Sequence, residues 1–228
     1  MIVISYPKSG RTWLLHMLAD YYGYFFANKD FTERGKRLLK NATLKPRNWV
    51  SGFHDIDVEK LKVIKKTYEK KCIYLVRDPR DCLTSYYFYR IYPIRNRIKR
   101  YLKLIRVNRS KKRFMEKFLL GWVDHVDKYI EYSDEIVRFE DLLSDTFMTM
   151  RGFIDDADDG KLQETIQKFD FENITKRKPG IELRSAFARK GIRGDWLNHF
   201  GDYKSKRTMK PIINSHLLTF GYESTRDW

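Results

Sequence analysis

Ile2-Val-Ile-Ser-Tyr-Pro-Lys-Ser-Gly-Arg-Thr-Trp13 is the stretch that decides how this chain folds. The apolar run from Ile2 to Tyr6 reads as a buried strand, and Pro7 closes it. After a Ser9-Gly10 turn, Trp13 to Phe25 (WLLHMLADYYGYF) shows the apolar period of a helix. A strand that turns directly into a helix collects backbone N–H groups and the positive end of the helix dipole at one point, an arrangement suited to phosphate or sulfate. Gly10 lets the backbone approach an anion closely, Lys8 adds a mobile positive charge, and Ser9 and Thr12 add hydroxyl donors. An ordinary capped turn would share these features. Lys8 precedes Gly10 instead of following it, so the loop is not G-x-x-x-x-G-K-[ST], and a magnesium-dependent phosphoryl transferase is disfavoured.

The same unit recurs. Cys72 to Val76 (CIYLV) reads as a second buried strand that runs into RDPRD and then a helical CLTSYYFYR. Glu135 to Phe139 (EIVRF) follows a helical stretch containing Phe118 to Ile130 and leads into EDLLSDTFMTMRGFI, again helical. Strands alternating with helices predict an α/β fold, one domain over residues 1–228 with a central parallel sheet flanked by helices. Lys176 to Gly194, with Pro179, Gly180, Gly191 and Gly194, reads as one long loop.

Forty-six Lys and Arg stand against 30 Asp and Glu, a formal charge of +16, which implies an anionic partner without choosing one. Arg90 to Lys117 is crowded with Lys and Arg and holds one acid, Glu116. It is a solvated helix face, a surface for an acidic acceptor or cofactor tail, or a nucleic-acid surface. No zinc, RNA-recognition or helix-turn-helix signature supports nucleic acid, and none is expected as a partner. Cys72 and Cys82 imply no disulfide framework. The N-terminus lacks a signal-peptide pattern and no run approaches eighteen apolar residues, so a cytoplasmic protein without a membrane span is expected. Asn41-Ala-Thr, Asn108-Arg-Ser and Asn173-Ile-Thr match the glycosylation sequon and are set aside as chance.

Tyr6-Pro-Lys-Ser-Gly-Arg-Thr-Trp13 resembles the 5′-phosphosulfate loop of sulfotransferases that use 3′-phosphoadenosine-5′-phosphosulfate (PAPS). Tyr74-Leu-Val-Arg-Asp-Pro-Arg-Asp-Cys-Leu-Thr-Ser85 resembles that family's 3′-phosphate motif, with Arg77 and Ser85 in the phosphate-binding places. Phe187 to Phe200 (FARKGIRGDWLNHF) is similar to its R-K-G-x-x-G-D-W segment. The three motifs arrive in the family's order. The resemblance implies a P-loop-kinase-like fold, PAPS as sulfuryl donor, 3′-phosphoadenosine 5′-phosphate (PAP) as product, no metal, and transfer to an acceptor hydroxyl or amine.

By the same resemblance, Lys8 stabilises the leaving phosphate, while Ser85 restrains Lys8 until the acceptor arrives. Ser9, Gly10, Arg11 and Thr12 cradle the 5′ end, and Arg189, Lys190 and Gly191 clamp the 3′-phosphate. Trp13 either stacks on adenine or packs in the core, and Phe171 is a second adenine candidate. His54, twenty-three residues before Arg77, falls where the family has its general base, although Gly52-Phe53-His54-Asp55-Ile56 departs from the usual Lys-Thr-His. His16, His125, His199 and His216 have no such placement and are assigned to structure. Phe139-Glu140-Asp141 replaces a Tyr-Glu-Asp triplet, and Arg11 replaces a common Thr. The chain starts directly on the first strand, and with the basic Arg90 to Lys117 stretch this predicts an acidic or large acceptor such as a glycan. A monomer is expected.

Overall fold

β1 (Ile2–Ile4) is the middle of the sheet, and its three residues are wholly buried. The computed structural model describes residues 1–23, 25–27, 49–92, 94, 96–186 and 188–228; Asn41 and Phe187, named above, lie outside them. β2 (Phe25–Ala27), β3 (Trp49–Phe53), β4 (Cys72–Val76) and β5 (Glu135–Arg138) complete a sheet of order β2-β3-β1-β4-β5. Every pairing is parallel, with Ile4 opposite both Phe53 and Tyr74. Parallel strands bury both faces, which explains why CIYLV is continuously apolar and every residue of it is buried. β1 lies between β3 and β4, so the chain reverses its direction of winding there. In such sheets the crevice outside the carboxyl ends of the strands, at the reversal, is the usual ligand site.

The chain divides into two compact units: Met1–Val76 with Tyr129–Ile174, and Arg77–Lys128 with Thr175–Trp228. In the first, α1 (Arg11–Tyr22) buries Leu14, Leu15, Met17 and Leu18, while α2 (Val58–Tyr68) buries Leu61. The core on the α1 side joins these α1 residues to Val3, Ile73, Leu75 and Val137 of the sheet. Leu142, Met150, Phe153 and Leu162 complete it from α6 (Phe139–Ser144), α7 (Thr146–Phe153) and α8 (Asp159–Phe169).

The helix read over Trp13 to Phe25 starts two residues earlier and stops at Gly23, whose φ of 65° ends it, leaving Phe25 to open β2. Phe139 begins α6 instead of ending β5. The single helix read over Glu140 to Ile154 is two, because the Asp145 carboxylate caps a new start by accepting the Met148 N–H.

In the second unit Asp78 caps α3 (Pro79–Ile91), accepting the Arg80 N–H, with Pro79 at the first helical position. The Arg80 guanidinium pairs with Asp78 and Glu223 and lies 4.2 Å from the Trp196 ring centre and 4.6 Å from that of Trp228. This unit also holds α4 (Arg97–Arg109), most of α5 (Lys111–Tyr129), α10 (Leu197–Phe200) and α11 (Tyr203–Thr219), α9 (Phe171–Thr175) lying at its boundary with the first. Residues 176–194 contain no helix or strand among those described, as their composition predicts. Among the described residues no helix is long and apolar enough to cross a membrane.

Candidate active site

The loop between β1 and α1 is shaped by its backbone. Lys8 sits at φ 76° and Gly10 at φ 91°, a left-handed geometry that is costly for Lys and natural for Gly. Gly10 is the N-cap of α1 and offers no side-chain cap, and the first turn of the helix carries no acid. The positive end of α1 therefore has no carboxylate of its own first turn beside it. A Cβ on Gly10 would fall inside 3.0 Å of Phe139 Cδ2 and Cε2, so glycine is required here by its neighbour as well as by its φ. Phe139 forms the floor under the loop. Ser9 is buried, while Lys8, Arg11 and Thr12 are half-buried.

His54 follows β3 directly, and the ladder with β1 continues to that point through a Ser5 N–H bond to the Phe53 carbonyl. The His54 Nδ1 lies 2.8 Å from the Ser5 carbonyl oxygen. A carbonyl only accepts, so Nδ1 carries the proton and, in the neutral ring, Nε2 carries the lone pair. The next residues are braced by Tyr129, whose hydroxyl accepts the Ile56 N–H at 2.9 Å and lies 2.6 Å from Asp55 Oδ1. Gly52, two residues before His54, has no room for a side chain. A Cβ there would meet Leu15 Cδ1 and stand 2.8 Å from Arg11 Cδ, so the Arg11 stem lies across β3 beside the histidine's strand end.

Of the two adenine candidates, Trp13 is tied to the segment that leads into Phe171. The Trp13 Nε1 donates to the Phe169 carbonyl at 2.8 Å, two residues before Phe171, and its ring meets Phe139 edge-on at 6.1 Å. Trp13 is half-buried against the core and Phe171 is half-buried. His16 stacks on Phe169 at 6.0 Å.

The remaining candidates belong to the second unit. Arg77 precedes the α3 cap and Ser85 lies within α3, one turn after Asp81 and on the same helix face. The buried Asp81 carboxylate accepts the Gly194 N–H at 2.7 Å and the Trp196 N–H at 2.9 Å, which fastens the R-K-G loop to the helix of Ser85. Burial pushes the Asp81 carboxyl up, against the opposing pull of Arg77 and these two N–H groups.

Asp195 pairs with Arg189 Nη2 and with Lys190 Nζ at 2.6 Å, and Glu182 takes Arg189 Nη1. Burial works against the Asp195 charge, but hydrogen bonds from His199, Lys190, Arg189 and Asn198 prevail and hold it well below the usual carboxylate range. Arg177 braces the loop from behind by donating to the carbonyls of Ile181, Ala188 and Arg189. Gly180 (φ 92°), Gly191 (φ 66°) and Gly194 (φ 76°) make left-handed bends in it.

Reasoning from sequence overlooked Asp81 and Asp195 as groups that shape the candidate site. For Asp195 the signal was present, since a carboxylate within a cluster of Arg, Lys and His has charge partners close at hand. For Asp81 the signal is only tertiary. Among the described residues no cluster of His, Cys, Asp and Glu has the makings of a metal site.

Comparison with known proteins agrees with the motifs. The sulfotransferase domain family matches residues 1–221. Sulfotransferase 1E1 of Rattus norvegicus is 26% identical over 245 residues, covering 91% of this chain and 80% of its own length. The amine sulfotransferase of Oryctolagus cuniculus is 23% identical over 249 residues, covering 91% and 77%. The crystal structure of mouse sulfotransferase SULT7A1 complexed with PAP has the same fold, with a TM-score of 0.68 at 22% identity over 95% of this chain and 83% of that one. With the matched domain reaching from the residue before β1 to the turn after α11, the chain belongs to the sulfotransferase domain family.

Proposed function

We propose that this sulfotransferase takes its sulfuryl group from PAPS and passes it to an acceptor hydroxyl or amine by in-line displacement. The observation that carries the reading is the junction at the carboxyl ends of β1 and β3. There a single carbonyl, that of Ser5, precedes the Lys8–Gly10 anion loop and also sets the tautomer of His54. In the first unit, a helix start without a side-chain cap and the hydroxyls of Ser9 and Thr12 suit a phosphosulfate. In the second unit, the cationic loop at Arg189 and Lys190 suits a phosphate.

When bound, PAPS supplies a sulfuryl group on an activated phosphate. His54 Nε2 takes the acceptor's proton, a role for which an imidazole held in one tautomer is prepared. Lys8 presents its charge to the bridging oxygen as that oxygen becomes anionic. Gly10, Arg11 and Thr12 hold the 5′ end against the Phe139 floor, Trp13 and Phe171 border the adenine, and Arg77, Ser85, Arg189, Lys190 and Gly191 hold the 3′-phosphate. Cys72 takes no part, since burial pushes its thiol up to about 11. The mouse neighbour's complex with PAP supports the choice of nucleotide.

For the acceptor, the basic Arg90 to Lys117 stretch supports an acidic or large molecule such as a glycan. The test is transfer of labelled sulfate from PAPS, in chelator, to a panel of glycans, phenols, alcohols and amines. Transfer to at least one class is expected, with Lys8→Ala and His54→Ala each lowering the rate by roughly 100-fold or more. Full rates in both variants, or no transfer by the wild type to any acceptor, would refute the proposal.

A further inference from the structure

α4 is amphipathic with its polarity reversed. Ile98, Tyr101 and Leu102 stand at i, i+3 and i+4 on one face, and they are 71%, 63% and 59% exposed. The helix meets the protein through the opposite face, where Val107 is its one buried residue, about two and a half turns after Ile98. On that inner side the Arg100 Nε donates to the Ile94 carbonyl at 2.9 Å and the guanidinium lies over the Tyr92 ring. A surface helix ordinarily turns its apolar stripe to the core. Here the stripe faces outward, flanked by cations. The helix has six Lys and Arg and no Asp or Glu, and the stretch from Arg90 to Lys117 has twelve against one, so most of the chain's +16 is concentrated there.

We infer that α4 lies flat on an anionic lipid surface, burying Ile98, Tyr101 and Leu102 at the acyl boundary while its Lys and Arg side chains reach the headgroup phosphates. This goes beyond the transfer reaction and does not depend on it. The charge and the apolar stripe have to be explained together. Nucleic acid or a sulfated glycan would use the cations and leave three large apolar side chains in water. A second copy of the chain would bring the same positive charge against it. Residues 28–48 would also be repelled, with seven Lys and Arg against two acids. An anionic bilayer satisfies both features, and interfacial helices of low mean hydropathy with a basic flank bind by apolar burial and charge in combination. No described helix is suited to span the bilayer, so α4 would hold the protein on the surface.

Sedimentation of the whole protein with vesicles tests this, using phosphatidylcholine alone and phosphatidylcholine with about 30% phosphatidylserine. The anionic vesicles should carry the protein down and the neutral ones should not. The triple variant Ile98→Ser, Tyr101→Ser, Leu102→Ser keeps the charge and should bind about tenfold more weakly or worse. Lys99→Gln with Arg106→Gln should also weaken binding and flatten its salt dependence. A solvatochromic dye on Leu102→Cys should shift to the blue on anionic vesicles, and labelling is selective because Cys72 and Cys82 are buried. PAP affinity serves as the check that each variant is folded. Equal sedimentation with both vesicle types, wild-type binding by the triple serine variant, or a dye that stays in water would each overturn the inference. The second of these results would reduce α4 to a general polyanion surface.

Discussion

The loop at Tyr6 to Trp13 and the loop at Arg189 to Trp196 both face anions by composition, yet they handle charge in opposite ways. The first relies on backbone. It has left-handed residues at positions 8 and 10, an uncapped helix start, and a glycine confined by Phe139. The second relies on side chains, and its cations are already compensated by Asp195 and Glu182. A backbone cradle is rigid and acts at short range, which suits charge that develops during reaction. A cation that shares its carboxylate with other donors can exchange partners, which suits capture and release of a phosphate. Under the proposed function, the first loop's backbone holds the 5′ end while Lys8 serves the chemistry, and the second loop supplies affinity at the 3′-phosphate.

Lys8→Ala should have the largest effect, lowering turnover by roughly 10²- to 10³-fold with a much smaller change in PAP affinity, as read from single-turnover rates. A loss confined to affinity would erase the contrast. Gly10→Ala comes next, because the new methyl meets Phe139 and the backbone stays left-handed. A destabilisation of about 2–4 kcal/mol is expected by urea unfolding. Adding Phe139→Ala should recover part of it, and strict additivity of the two changes would show that the ring does not set the limit.

Arg189→Ala should mainly raise the PAPS KM, by about tenfold, and leave kcat nearly unchanged. The smallest effect is acid-dependent. Asp195 is depressed in the folded state, so its share of stability is complete above the unfolded carboxylate value of about 3.9 and is lost as the pH falls through the lower folded value. The stability gap between the wild type and Asp195→Asn should therefore be widest near neutrality and narrow below about pH 4. A gap that does not change with pH would place the carboxylate outside the cation cluster.

Much of this was legible along the chain. β1 and β4 announce themselves as apolar runs soon followed by Pro or Asp, because strands buried on both faces have no polar period to hide them, whereas β5 (EIVR), an edge strand with Ile136 exposed, is read from its place between two helical stretches. β2 and β3 do not announce themselves. Trp49–Phe53 contains Ser51 and Gly52, and Gly52 is there because Leu15 and Arg11 occupy the space its side chain would need, a reason that exists only after folding. His54 is singled out by its spacing within the resemblance, but the tautomer that the proposed base role needs rests on the Ser5 carbonyl, forty-nine residues away. The outward apolar face of α4 was hidden as well, since a periodic pattern does not say which side meets the protein.

The most direct test is calorimetric titration of the full chain with PAP in excess chelator, repeated with Gly10→Ala and with Lys190→Ala. Micromolar binding to the wild type without metal, with each single change weakening it about tenfold or more, is the predicted result. Binding that requires magnesium and prefers ATP, or PAP affinity indifferent to both substitutions, would contradict the account.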